Sequence, residues 1–94
     1  MKVVINAYYG GFGLSEDAEM YLICHGVSRE EIYHDDDSFR ANPILVECVE
    51  VLGDKANDSV SNLRVVEIPD GVDWYIEDYD GMESIHEQHR VWHY

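Results

Sequence analysis

Three β-branched residues in a row, Val3, Val4 and Ile5, open the sequence inside the segment KVVINAYY. A strand with one face in water alternates apolar and polar residues, whereas an unbroken apolar run buries both faces. Lys2 to Tyr9 is therefore predicted to be a central strand that other elements must cover on both sides. A chain of 94 residues has room for one such core. We expect a single α+β domain over 1–94, with a mixed or antiparallel sheet of three to five strands packed by two helices and a C-terminal β-hairpin.

The remaining elements follow from local chemistry. Gly10, Gly11 and Gly13 come after the strand, with Phe12 among them. Ser15 is placed to cap a helix whose positive N-terminal end suits Glu16 and Asp17. Ala18, Tyr21, Leu22 and His25 recur at helical spacing, and Gly26 is a natural stop. ANPILVECVEVLGDKAN carries the second helix: Asn42 caps it and Pro43 takes the first helical position, where a missing N–H costs nothing. Its buried face is Leu45, Cys48, Val49 and Leu52, with Glu47 and Glu50 opposite. Gly53 either ends this helix or weakens a last turn that reaches Ala56. Between the helices, EEIYHDD reads as a short edge strand or as a solvated loop.

The C-terminal part is β-rich. Leu63 to Ile68 is a strand closed by the turn residues Pro69, Asp70 and Gly71. VDWYIEDYDG holds another, with Trp74 and Ile76 on one face and Tyr75 and Glu77 on the other. Asp80-Gly81 is a strong hairpin dipeptide. MESIHEQHRVWHY is accordingly read as the returning strand, in preference to a helix bearing Met82, Ile85, His89 and Trp92 on one side.

Charge narrows the function classes. Twenty acids face six bases, for a formal net charge of −14. Nonspecific nucleic-acid binding is excluded, because the electrostatic interaction that drives it would be repulsive. High solubility, cation binding, a basic protein partner and mimicry of nucleic-acid phosphates all stay open. No apolar run approaches the roughly 18 residues of a membrane helix, and MKVVINAYY is too short and polar for a signal peptide. Cys24 and Cys48 lie in apolar stretches without a CxxC spacing and read as buried free thiols of a reducing, intracellular compartment.

Four stretches could carry chemistry. YGGFGLS has the strand-to-helix placement of a phosphate-binding turn, but it lacks the GxGxxG fingerprint and the P-loop lysine. An anion there would need positive charge from elsewhere. Of the four arginines, Arg40 and Arg90 are the best placed to supply it. His86, His89 and His93 would share a face, and could hold zinc, only on a helix. HDDD, His34 to Asp37, lacks the glycine and bidentate glutamate of an EF-hand. Finally, Glu67, Asp70, Asp73, Glu77, Asp78, Asp80, Glu83 and Glu87 would line one long negative face of a hairpin, with tyrosines interleaved. Such a face is similar to that of a DNA-mimicking inhibitor. Nucleophilic catalysis finds little support, since Ser15 reads as a cap and both thiols as core residues. We expect no enzyme activity, no cofactor and no metal.

YGGFGLS, NPILVECVEVLGDKAN and VVEIPDGVDWYIEDYDGMESIHEQHRVW together resemble a family of small proteins encoded by tailed phages and other mobile elements of bacteria. The resemblance covers most of the chain except VSREEIYHDDDS, and rests on the motifs YGGFxLS and YDGxExIxExHRxW. It implies an accessory protein of the bacterial host cytoplasm, a class whose members often neutralise host immunity. Two functional expectations follow. In the first, a homo-oligomer sequesters a small anionic ligand, most naturally a nucleotide immune signal. Its phosphates would meet Gly10, Gly11 and Arg40 or Arg90, while Tyr8, Tyr9, Phe12 or Trp92 stack on the base. In the second, Glu77, Asp78, Asp80 and Glu83 enter the basic groove of a host defence nuclease such as a CRISPR effector.

Overall fold

The opening strand is covered on both sides. In the computed structural model, which describes residues 1–34, 36–87 and 91–92, β1 spans Lys2–Asn6, and its residues Val3, Val4 and Ile5 are completely buried. Val4 joins a cluster with Ala18, Leu22, Leu45, Cys48 and Val49 from the helices, whereas Val3 and Ile5 join Val66, Ile68 and Ile85 on the other side. β1 is thus the middle layer between helices and a second sheet. Among the described residues its strand partner is β2, Leu63–Glu67, antiparallel in the register Lys2↔Glu67 to Asn6↔Leu63.

Helix α1, Glu16–Cys24, begins where Ser15 accepts a hydrogen bond from the Ala18 amide at 3.1 Å. Asn42 likewise accepts from the Ile44 amide at 2.8 Å and starts α3, Pro43–Leu52, with the proline in the first turn. Beyond it a 3-10 turn, Gly53–Ala56, carries the chain on, so Gly53 both ends the α-helix and opens a further turn. Cys48 is buried as expected, but Cys24 is exposed. Position 24 falls in the last turn of α1, past the Ala18 and Leu22 stripe that faces the core.

The segment expected to be an edge strand or loop is instead a third helix, α2, Arg29–His34. Ser28 accepts from the Glu31 amide at 3.2 Å, and Glu30 and Glu31 occupy the first turn, where the helix dipole favours acids. Ile32 is its one buried residue, which anchors a short helix where a strand would need alternate apolar positions. A 3-10 helix, Asp37–Ala41, follows, capped by Asp36.

Among the described residues, five strands form two antiparallel sheets. In the second, β3, Tyr75–Tyr79, pairs with β4, Met82–His86, which pairs with β5, Val91–Trp92. Asp80 and Gly81 have φ of 53° and 90°, the two left-handed positions of a type I′ turn, so the hairpin dipeptide forms as expected. Ile76 and Ile85 face each other and, with Trp74 and Trp92, pack beneath β1. Between the two sheets, the Asn6 amide donates to the Glu83 carboxylate at 2.7 Å. Among the described residues, no helix is long and apolar enough to cross a membrane.

Candidate functional site

Where β1 ends, the chain ties a buried polar knot. Asn6 is fully buried, and its side-chain amide donates to the carbonyls of Tyr8 and Gly81, each at 2.6 Å. Its Oδ1 accepts from the Asn62 amide at 2.7 Å, so one side chain joins the glycine loop, the hairpin turn and the entry to β2. Glu83, which accepts from the Asn6 amide, also receives Arg40 as a two-pronged pair, Nη1 to Oε1 at 2.6 Å and Nη2 to Oε2 at 2.9 Å. Both partners are nearly excluded from water, with side-chain exposures of 7% and 4%. The Arg40 guanidinium lies 3.5 Å from the centre of the Phe12 ring. Two opposite charges in a dry site need such a fork and its extra hydrogen bonds to offset their desolvation.

This geometry separates residues that the sequence suggested would act together. Arg40 is committed to Glu83 and Phe12 inside the fold, and Phe12 packs against the helix-side core. Glu83, expected on the exposed acidic face, points inward because position 83 shares the buried side of β4 with Ile85. Trp92 pairs with Ile85 and packs against the sheet-side core. Tyr8 and Tyr9 remain exposed beside each other, their ring centres 6.0 Å apart. Arg90 lies outside the described residues, as do His89 and His93.

The glycine loop is packed tightly. A Cβ at Gly10 would overlap the backbone and Cβ of Val60, and one at Gly13 would overlap the Asp58 carboxylate. Asp58 itself organises the facing loop by accepting from the amides of Val60 and Ser61 at 2.9 and 2.8 Å. A Cβ at Gly81 would overlap the Tyr9 carbonyl and the Gly11 amide, so the hairpin turn rests on the glycine loop. Gly10 and Gly81 therefore serve the approach of one backbone segment to another, and Gly13 makes room for the Asp58 side chain.

Two groups of acids bear on a candidate site. Glu67, Asp70, Asp73, Glu77, Asp78 and Asp80 are exposed along the run leading into and through β3 and its turn. Glu30, Glu31, His34 and Asp36 line an open cleft of about 430 Å³ between α2 and the 3-10 helix. There Asp36 is held below the usual carboxylate range, first by the Ser38 hydroxyl and then by the Phe39 amide, both of which donate to it. No group of histidine, cysteine and acidic residues fit to hold a metal occurs among the described residues. His86 is on a strand, stacked on Tyr75 with ring centres 5.6 Å apart and sharing a hydrogen bond with Ser84. Burial pushes the Cys48 thiol up to about 11, which leaves it protonated and inert at neutral pH.

The residues that sequence reasoning missed are Asn6, Asn62 and Asp58. A polar residue ending an apolar run, as Asn6 does in VVIN, is the signal that marked the first. Comparison with protein-family models, curated proteins and solved structures finds no match to this chain.

Proposed function

We propose that the protein works by binding, without chemistry, as a phage or mobile-element accessory protein of the bacterial cytoplasm whose acidic face occupies the basic nucleic-acid groove of a host defence protein. A CRISPR-effector nuclease is one such target. The observation that carries this reading is the exposure of Glu77, Asp78 and Asp80 on one hairpin edge and turn, continuous in sequence with the exposed Glu67, Asp70 and Asp73. That edge is fastened to the core through Ile76, Ile85 and the Asn6–Gly81 bond, so its charges are presented on an ordered scaffold. A net charge of −14 would steer such a module towards a basic groove and away from nucleic acid.

The test is protection of phage in bacteria carrying single defence nucleases, with the wild type beside a Glu77→Gln, Asp78→Asn, Asp80→Asn variant. Protection should fall at least tenfold in the variant, and nuclease bound to DNA in vitro should be displaced by the wild type in a salt-sensitive manner. Equal protection by a folded variant would overturn the proposal.

Sequestration of a nucleotide signal is a second reading, favoured by the exposed Tyr8–Tyr9 pair beside Gly10 and Gly11. It has less support because the Arg40 charge is answered by Glu83. Native mass spectrometry against a panel of nucleotide signals separates the two: a nucleotide retained by the protein, alone or as an oligomer, would replace the first reading with the second.

A further inference from the structure

We propose that the end of the molecule where the glycine loop meets the β3–β4 turn is a docking surface for an arginine-bearing segment of a basic protein. The inference rests on the reading above, that the partner is basic, and adds which cation and which residues make the contact. Four large side chains at this junction are left in water: Tyr8, Tyr9, Val60 and Tyr79, at 59, 55, 51 and 77% exposure. None of the four belongs to either core cluster.

Their backbones are brought together by close approaches only glycine allows, Gly10 against Val60 and Gly81 against Tyr9 and Gly11. Asn6 then fixes Tyr8 and Gly81 to each other through its two donated hydrogen bonds. Three tyrosines on an ordered support offer wide contact area at little cost in side-chain entropy, the composition of binding hot spots. Asp78 and Asp80, both exposed, flank Tyr79.

Charge decides among occupants. A second copy also carries −14 and is repelled, as is nucleic acid, whereas a cationic segment is attracted. Aromatic rings beside carboxylates discriminate further. A guanidinium can stack on a tyrosine face and fork to a carboxylate together, which the compact, strongly hydrated lysine ammonium does poorly. The fold already contains this combination, with Arg40 over Phe12 and forked to Glu83. The surface end offers the same two kinds of group, tyrosine rings and carboxylates.

The experiment is isothermal titration of the full chain at about physiological ionic strength with an arginine homopeptide and a lysine homopeptide of equal length. The arginine peptide should bind about tenfold tighter. In a Tyr8→Ser, Tyr9→Ser, Tyr79→Ser variant, shown to be folded by urea melting, the two peptides should bind alike. Amide NMR shifts on adding the arginine peptide should centre on Tyr8–Gly11 and Tyr79–Gly81. Equal affinities in the wild type would overturn this inference while leaving the acidic-face reading in place. Binding of neither peptide would overturn both. A preference that survives in the variant, shifts centred elsewhere, or wild-type self-association lost in the variant would each assign the surface otherwise and end the proposal.

Discussion

Replacing Glu83 by glutamine removes one negative charge from a site where it answers a buried arginine, and the loss can be sized from the geometry. Glu83 is joined to Arg40 at 2.6 and 2.9 Å with both side chains nearly dry, and it also accepts the Asn6 amide at 2.7 Å. Breaking a buried pair by removing one partner costs about 3–5 kcal/mol, mostly the penalty of leaving the other charge uncompensated. A domain of 94 residues has roughly 5–14 kcal/mol of stability in all. Glu83→Gln should therefore remove about a fifth of the total or more and lower the melting temperature by at least about 12 °C. Arg40→Met combined with Glu83→Leu removes both charges and leaves the Asn6 amide without its Glu83 acceptor, a loss of about 1–3 kcal/mol. The double variant should consequently be more stable than Glu83→Gln alone. Urea unfolding followed by tryptophan fluorescence measures all three proteins. A loss below about 1 kcal/mol for Glu83→Gln, or a double variant no more stable than Glu83→Gln, would refute the assignment of Arg40 as a structural cation and return it to the pool of ligand-binding residues.

Three further outcomes are expected. Ser15→Ala should cost about 1 kcal/mol, read by urea melting, since the Ser15 hydroxyl is the cap of α1. Gly81→Ala should cost roughly 1–3 kcal/mol, because φ is 90° there and the added carbon meets the Tyr9 carbonyl and Gly11 amide; proton exchange should quicken in the glycine loop as well as in the hairpin. The Cys48 thiol is raised from 9.0 to about 11 by burial, so the unfolded chain loses this proton first as pH rises. Its contribution is complete below pH 9 and disappears through about pH 11, and Cys48→Ala should flatten the alkaline decline in urea midpoint over that window.

How far the sequence reached depended on the range of the interaction involved. Both long helices were readable because Ser15 and Asn42 act on amides two or three residues away, and β1 because Val3, Val4 and Ile5 state their burial without reference to a partner. The Asp80-Gly81 turn was readable for the same local reason. α2 is not legible because the four acids and one buried isoleucine of EEIYHDD suit a helix end and an exposed edge equally well. Arg40 and Glu83 were misassigned for the opposite reason: they are 43 positions apart, and nothing near either one announces the other. Scarce arginine in an acidic chain suggests a ligand contact, whereas the structure forks Arg40 to a buried carboxylate of its own chain. Glu83 was one carboxylate in a run of eight, and only the register that sets it beside Ile85 turns it inward.

That inward turn bears on function. Holding Glu83 inside draws β4 against the end of β1, and the Asn6 bonds to Tyr8 and Gly81 then fix the glycine loop to the hairpin turn. Loops with exposed tyrosines would ordinarily lose backbone freedom on meeting a partner, at a cost of about 1–2 kcal/mol for each residue ordered. On the proposed reading, the ordering is done on folding, by the buried groups Asn6 and Glu83. A variant such as Asn6→Ala should therefore weaken binding at Tyr8, Tyr9 and Tyr79 although Asn6 is fully buried, and the loss should be in lifetime of the complex more than in its rate of formation. The acids behave differently: neutralising Asp78 or Asp80 should slow association and reduce its dependence on salt. Stopped-flow kinetics of the two kinds of variant would separate the contribution of a prearranged surface from that of its charge.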